Sequence, residues 1–287
     1  MEQIKYEDQI LYHYTSLEAL KSILENRTIR LTDYRFLNDP KELYFGIDIF
    51  KNAIPKDTDE YHFKIVLRAL NNMENNITYC FKIGQNVIQA FVPNKTNFYI
   101  LSMTDKGDDL ALWNAYAKNG CCIKFNHQAI FSYFSNIIQT RWENGIFNYH
   151  RGKVHYGQYS EAEMKFYLEM FQRQGTSLEA NIDYEIRQIC SLNKDEAYKY
   201  ESEYRIGINY IDTALIDGTS VKKQFVIKDG LIKPQIELAD FAVEELIEEI
   251  IVSPYNNFDC AVLGVQELVH WFAKKDIPVR ASGIKIR

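Results

Sequence analysis

The sequence predicts an α+β fold in which strands and helices intermix. Three observations lead there. Short runs rich in Ile, Val, Tyr and Phe, bounded by turn residues, are interleaved with longer helical patterns, without the regular alternation of a doubly wound fold. No Gly-x-Gly-x-x-Gly or Walker loop occurs, which disfavours Rossmann and P-loop folds. Hydrophobic residues make up 46% of the 287 positions and charged residues 25%, so a packed core can form and wholesale disorder is excluded. We expect one domain over residues 1–287, with a helical insertion around residues 158–199 on a strand-built core.

The opening run "LYHYTSLEAL" predicts a strand over Ile10–Tyr14 and a helix over Ser16–Asn26. On the strand, Leu11 and His13 share one face, and Tyr12 and Tyr14 the other. Thr15-Ser16-Leu17-Glu18 fits a capping box, with Thr15 as N-cap and Glu18 reaching back. A second strand is expected over Thr28–Leu31. In "LNDPKEL", Asp39 as N-cap, Pro40 in the first turn and Glu42 at the third position start a helix over Lys41–Asn52. Capping leaves Asn38 over, either to brace the turn or to face a ligand. Further helical periodicity covers Asp59–Asn75, Asp109–Lys118, Glu161–Gln174, Leu178–Tyr198 and Asp259–Lys274. Strands are expected at Phe98–Thr104, Cys121–Phe125, Ile146–Tyr156, Glu203–Tyr210, Lys223–Ile227, Gln235–Leu238 and Glu249–Ser253. The tail "IPVRASGIKIR" is expected to supply the last one or two.

The formal net charge of -6 argues against a broad basic surface for nucleic acid, while leaving room for a local basic pocket. The five cysteines are odd in number and form no Cys-x-x-Cys pair, so neither a disulfide scaffold nor a zinc site is expected. The N-terminal "MEQIKYEDQI" lacks an apolar signal core, and no apolar run approaches membrane-spanning length. The expectation is a cytoplasmic protein without a membrane partner. The 20 Tyr and 17 Phe exceed what a core of this size needs, so some should line clefts or interfaces, and a homodimer is compatible with them.

Three segments can carry chemistry. His13 is either a core histidine satisfied by a backbone carbonyl or a ligand contact. Trp113 and Tyr116, in "DLALWNAYAKNG", share a helix face beside a polar loop, as core or as the wall of a cleft. In "YKYESEYRIGI", read as a strand, Glu201, Glu203 and Arg205 fall on one face. That row is either solvated or looks into a cleft. In a cleft, Arg205 would pair one carboxylate and hold it ionised. The other would be free to bind ribose hydroxyls or to stabilise a developing cation.

Taken together, "LYHYTSLEALKSILENRTIRL", "LNDPKEL", "DLALWNAYAKNGCCIKF", "YKYESEYRI" and "IEEIIVSPYNNF" resemble, in order, the domain-of-unknown-function 2971 family. The opening strand–helix–strand also resembles the first motif of ADP-ribosyltransferase folds, which bind NAD between two small packed sheets and carry a late glutamate, often in a Glu-x-Glu pair. That resemblance implies NAD as substrate, with no metal, and an unidentified macromolecule or water as acceptor. It implies that His13 bonds a ribose hydroxyl, Thr15 shapes the pocket, and Tyr116 or Trp113 stacks near the nicotinamide. Glu203 or Glu201 would bind the 2′-hydroxyl of the nicotinamide ribose, and Arg30, Arg35 or Arg205 would neutralise pyrophosphate. The sequence departs from that pattern at Tyr14, where Gly often follows the His, and at Ser102 of "LSMT", only a distant echo of the middle Ser-Thr-Ser motif. Three readings stay open: an ADP-ribosyltransferase-like enzyme, as in defence or toxin systems; a non-catalytic nucleotide-binding or interaction module; and a metal-dependent nuclease using Asp39, Glu42, Glu201 and Glu203.

Overall fold

Alternating apolar side chains set most of the strands. The computed structural model describes residues 10–37, 42–55, 61–75, 81–83, 86–88, 96–141, 146–173, 179–211, 221–228, 230–256 and 258–286. The strands are β1 (Leu11–Thr15), β2 (Ile29–Asp33), β3 (Phe81–Ile83), β4 (Asn86–Ile88), β5 (Thr96–Thr104), β6 (Cys121–Phe125) and β7 (Ile146–Lys153). They continue with β8 (His155–Tyr156), β9 (Asn193–Lys194), β10 (Glu203–Ile211), β11 (Val221–Lys228), β12 (Leu231–Leu238), β13 (Ile247–Val252) and β14 (Val279–Ala281). The helices are α1 (Leu17–Asn26), α2 (Glu42–Ala53), α3 (Tyr61–Asn75), α4 (Leu110–Tyr116), α5 (His127–Arg141), α6 (Glu161–Arg173), α7 (Glu179–Ser191), α8 (Val243–Leu246) and α9 (Phe258–Phe272).

Ten of these strands form one sheet in the order β11-β12-β2-β5-β1-β6-β13-β14, with β10 on the other edge of β5 and β7 beyond it. Its pairings are antiparallel except β13 with β14. The expected α+β mixture is present. The expected separation into two small sheets is not, because β5 hydrogen-bonds to strands of every arm.

Side-chain alternation gives the sheet two faces. Leu11, Leu101, Met103, Ile123, Tyr204 and Ile206 point to one side and pack with Leu24 of α1, Phe134 of α5 and Val269 of α9. On the other side, Trp113 and Ala117 meet Cys122 and Ile251, with Tyr12 and Tyr14 against them. The predicted parity of β1 is thus observed. A separate core joins α2, α3, α6 and α7 through Phe50, Val66, Leu70, Phe171 and Ile186. No helix among the described residues is long and apolar enough to cross a membrane.

Four expectations need correction or placing. The helix expected over Leu178–Tyr198 stops at Ser191. Asn193 and Lys194 then pair in parallel with His155 and Tyr156, and Glu196–Glu201 turns as a 3-10 helix. The N-cap of α1 is Ser16, whose Oγ accepts from the Ala19 N–H at 3.2 Å, while Thr15 closes β1. Helix α5 lies outside the predicted set; its Phe, Tyr and Ile content favours strands locally, and burial of Ile130, Phe134 and Ile137 against the sheet decides for helix. Asn38, Asp39 and Pro40 fall outside the described residues.

Gly120 turns the chain into β6 against the end of β1, and a Cβ there would lie 2.0 Å from the Thr15 carbonyl oxygen. Backbone cannot yield as a flexible side chain can. Gly120→Ala should therefore cost about 1–3 kcal/mol, read as a lower midpoint in urea unfolding.

Candidate functional site

Two strands share one edge of β5. β1 meets it at Tyr12↔Thr104, and β2 meets it at Thr32↔Ile100 and Asp33↔Tyr99. Among the described residues, the edge between, around Ser102, has no strand partner there. Its carbonyl is satisfied instead by His13, whose Nδ1 lies 2.8 Å from the Ser102 oxygen. A cavity of about 400 Å³ opens at this parting, within the range of small-molecule sites.

Its floor is polar because the side chains of β10 alternate between two faces. Tyr204 and Ile206 enter the apolar core, so Glu203 and Arg205 face the opposite side, directly across from Thr104 and Ser102. Arg205 grips Glu203 in a fork, Nε to Oε1 and Nη2 to Oε2, both at 2.8 Å. Its Nη1 donates to the Ser191 carbonyl at 2.5 Å, capping the C-terminus of α7. Lys194 Nζ reaches Glu201 Oε2 at 2.6 Å and Glu203 Oε2 at 3.2 Å. Tyr116 donates its hydroxyl to Glu201 Oε1 at 2.5 Å. Lys194, Glu201, Glu203 and Arg205 are all buried. Burial alone would raise the Glu203 carboxyl; Arg205 first, then Lys194, outweigh it and hold the group below the usual carboxylate range. Burial, reinforced by Glu201, raises the Tyr116 phenol.

Most of the predicted residues meet here. His13, Tyr14, Thr15, Arg30, Ser102, Tyr116, Glu201, Glu203 and Arg205 all line the cavity. His13 combines its two readings, since it both satisfies a carbonyl and faces the space. Trp113 does not line it. It is fully buried behind Tyr14, edge-on at 4.8 Å, with its indole N–H on Asp108 Oδ1 at 2.9 Å. Tyr14 is held by the Lys106 carbonyl and the Asp109 N–H. Arg35 forks Asp33 instead of lining the cavity. The strand begins at Glu203 as expected, so the reading that put Glu201 on its face does not hold: Glu201 ends the 3-10 helix, with Ser202 following at φ 46, and its carboxylate meets the same lysine as Glu203.

Lys194 was not among the residues singled out. The helical pattern read through to Tyr198 hid it. Asp195, whose side chain caps the following turn by accepting from the Ala197 N–H, was the signal that the helix must already have ended.

Among the described residues, no group of three or more His, Cys, Asp or Glu is placed to hold a metal ion. Residues 112–206 match the model of a family described as protein of unknown function (DUF2971). The match bears out, over those residues, the resemblance drawn from the motifs. It includes Tyr116, Lys194, Glu201, Glu203 and Arg205. No curated protein and no solved structure matches the chain.

Lys194→Met would leave two buried carboxylates without their shared cation. We expect a loss of about 3–5 kcal/mol at neutral pH. The folded-state pKa of Glu203 lies below its unfolded value, so its stabilisation is present above about pH 4.3 and lost as pH falls through the folded value. Wild type should therefore lose its advantage in acid. Urea unfolding of both proteins, from neutral pH down to about pH 3, should show the gap narrowing.

Proposed function

We propose that this cavity binds NAD and that the protein is an ADP-ribosyltransferase-like enzyme, cleaving the nicotinamide–ribose bond and passing ADP-ribose to a macromolecule or to water. The observation that carries the reading is the convergence of His13, Tyr116 and the Glu201/Glu203 pair on one cavity, from segments far apart in sequence. Breaking this bond sends its electron pair to nicotinamide and leaves positive charge on the ribose, as in glycoside hydrolysis. An ionised carboxylate beside the sugar stabilises that charge. The acceptor then bonds to the anomeric carbon and gives up its proton.

The hydrogen-bond count divides the two glutamates. Glu203 accepts twice from Arg205 and once from Lys194, so two cations hold it. Glu201 accepts from Lys194 and from the neutral Tyr116 phenol, so a single cation holds it. On this reading Glu201 meets the ribose hydroxyl and Glu203 anchors the two cations. Tyr116 stands at the nicotinamide end. A non-catalytic module has one observation in its favour, the capture of Glu203 by two cations. The nuclease reading is disfavoured because Lys194 already occupies the position between the carboxylates that a metal would take.

The test is nicotinamide release from NAD by the purified protein, with Glu201→Gln and His13→Ala beside it. We expect turnover by wild type and a fall of about 100-fold or more for Glu201→Gln, the scale of removing one electrostatic stabiliser. Absence of both release and NAD binding would overturn the proposal.

A further inference from the structure

Exposed apolar side chains gather on one hairpin. Phe225, Ile227, Leu231 and Ile232, on β11 and β12, are 62%, 79%, 55% and 62% exposed. Strand β11 ends the sheet order, and the last ladder contact of β12 with β2 is Gln235↔Thr32. Beyond that contact the hairpin has no third strand among the described residues, and Gly230, at φ 75, turns it back. Ile227 pairs across to Ile232, and Phe225 to Pro234, so these four side chains share one face. The opposite face carries Val226 and Lys233 into the cavity, with Leu231 at its tip. Large apolar side chains left together in water mark an interaction surface. The charge of this stretch also departs from the rest. Residues 222–233 carry four lysines and one acid, in a chain whose formal net charge is -6. Lys222 is exposed, and Lys223 lies over the Phe225 ring at 5.9 Å.

We propose that this hairpin is a docking surface for an anionic lipid bilayer. Its apolar face would enter the boundary between headgroups and acyl chains, with lysines among the anionic headgroups. Three arguments select that occupant. A flat protein partner covers one face of a hairpin, whereas this tip exposes Ile227 and Ile232 on one side and Leu231 on the other. A second copy would bring two sets of lysines together, and like charges oppose that contact. An anionic surface attracts the lysines nearest to it, while screening weakens its repulsion of more distant acids. Asp229, next to Gly230 in sequence, opposes deep burial of the tip, so the hairpin rests at headgroup level and crosses nothing. The expectation of no membrane partner rested on the lack of a spanning-length run, and a surface contact needs no such run. The proposal is independent of what the cavity binds.

Flotation of the full chain with vesicles tests it, using phosphatidylcholine alone and a three-to-one mixture of phosphatidylcholine and phosphatidylserine. Wild type is compared with the double variants Ile227→Thr/Ile232→Thr and Lys222→Gln/Lys223→Gln. Wild type should float with the mixed vesicles, stay behind with phosphatidylcholine alone, and be released by added salt. The isoleucine variant keeps β-branched side chains and loses apolar surface; its affinity for the mixed vesicles should fall about 10-fold or more. Each lysine removed should weaken binding about 5-fold. Both isoleucines are exposed, so urea unfolding of that variant should match wild type, which separates lost binding from lost fold. Failure of wild type to float with the mixed vesicles would overturn the proposal. So would equal flotation of a folded isoleucine variant, or equal flotation of wild type with both vesicle types. A concentration-dependent dimer in sedimentation velocity, abolished in the isoleucine variant, would assign the face to a second copy and overturn it too.

Discussion

Hydrogen bonding along one edge of β5 governs the site. Two strands, β1 and β2, share that edge, joined to each other by helix α1. They part, and the backbone around Ser102 is left to a side chain. Buried carbonyls need a donor. His13 supplies it, so the residue that completes the sheet is also the residue that faces the opening. A cavity made by parting strands has walls of main chain, held by ladders on both sides. It is therefore shaped before any ligand arrives, which limits the ordering cost of binding.

The helical layer reaches the same place by another route. Gly46 of α2 lies so close to Cys190 of α7 that a Cβ would stand 2.7 Å from the Cys190 carbonyl oxygen. That contact fixes the end of α7, and the chain leaves it through Ser191 and Leu192 directly into Lys194. Arg205 closes the junction by capping α7 while gripping Glu203. The second core thus sets the position of the cation that both glutamates share. Perturbing α2 or α7 should be felt at the cavity floor, although neither helix supplies a charged group there.

Much of the site was legible in the sequence because its residues obey strict local periods. Period two placed His13 opposite Tyr12 and Tyr14, and it placed Glu203 with Arg205 away from Tyr204 and Ile206. What local patterns could not supply was register between distant segments. Nothing near Glu201 in the sequence indicates that Ser202 adopts a left-handed conformation and swings the carboxylate inward. Trp113 and Tyr116 were correctly placed on one short helix, but three residues on a helix leave a lateral offset. At the rim of a cavity, that offset separates a core side chain from a lining one. The joining of all arms through β5 is likewise a property of pairing, invisible in any single strand.

Lys194 and Lys233 show the same limit in electrostatic form. Each sits in a strand whose neighbours give no sign of burial, and each is buried because a partner strand covers it. Their difference is the informative part. Lys194 has two carboxylates, and the cluster it forms with Arg205, Glu201 and Glu203 sums to zero charge, so it can persist in a low dielectric without a ligand. Lys233 has none among the described residues, and it is tolerated because it lines the open cavity, where water reaches its ammonium.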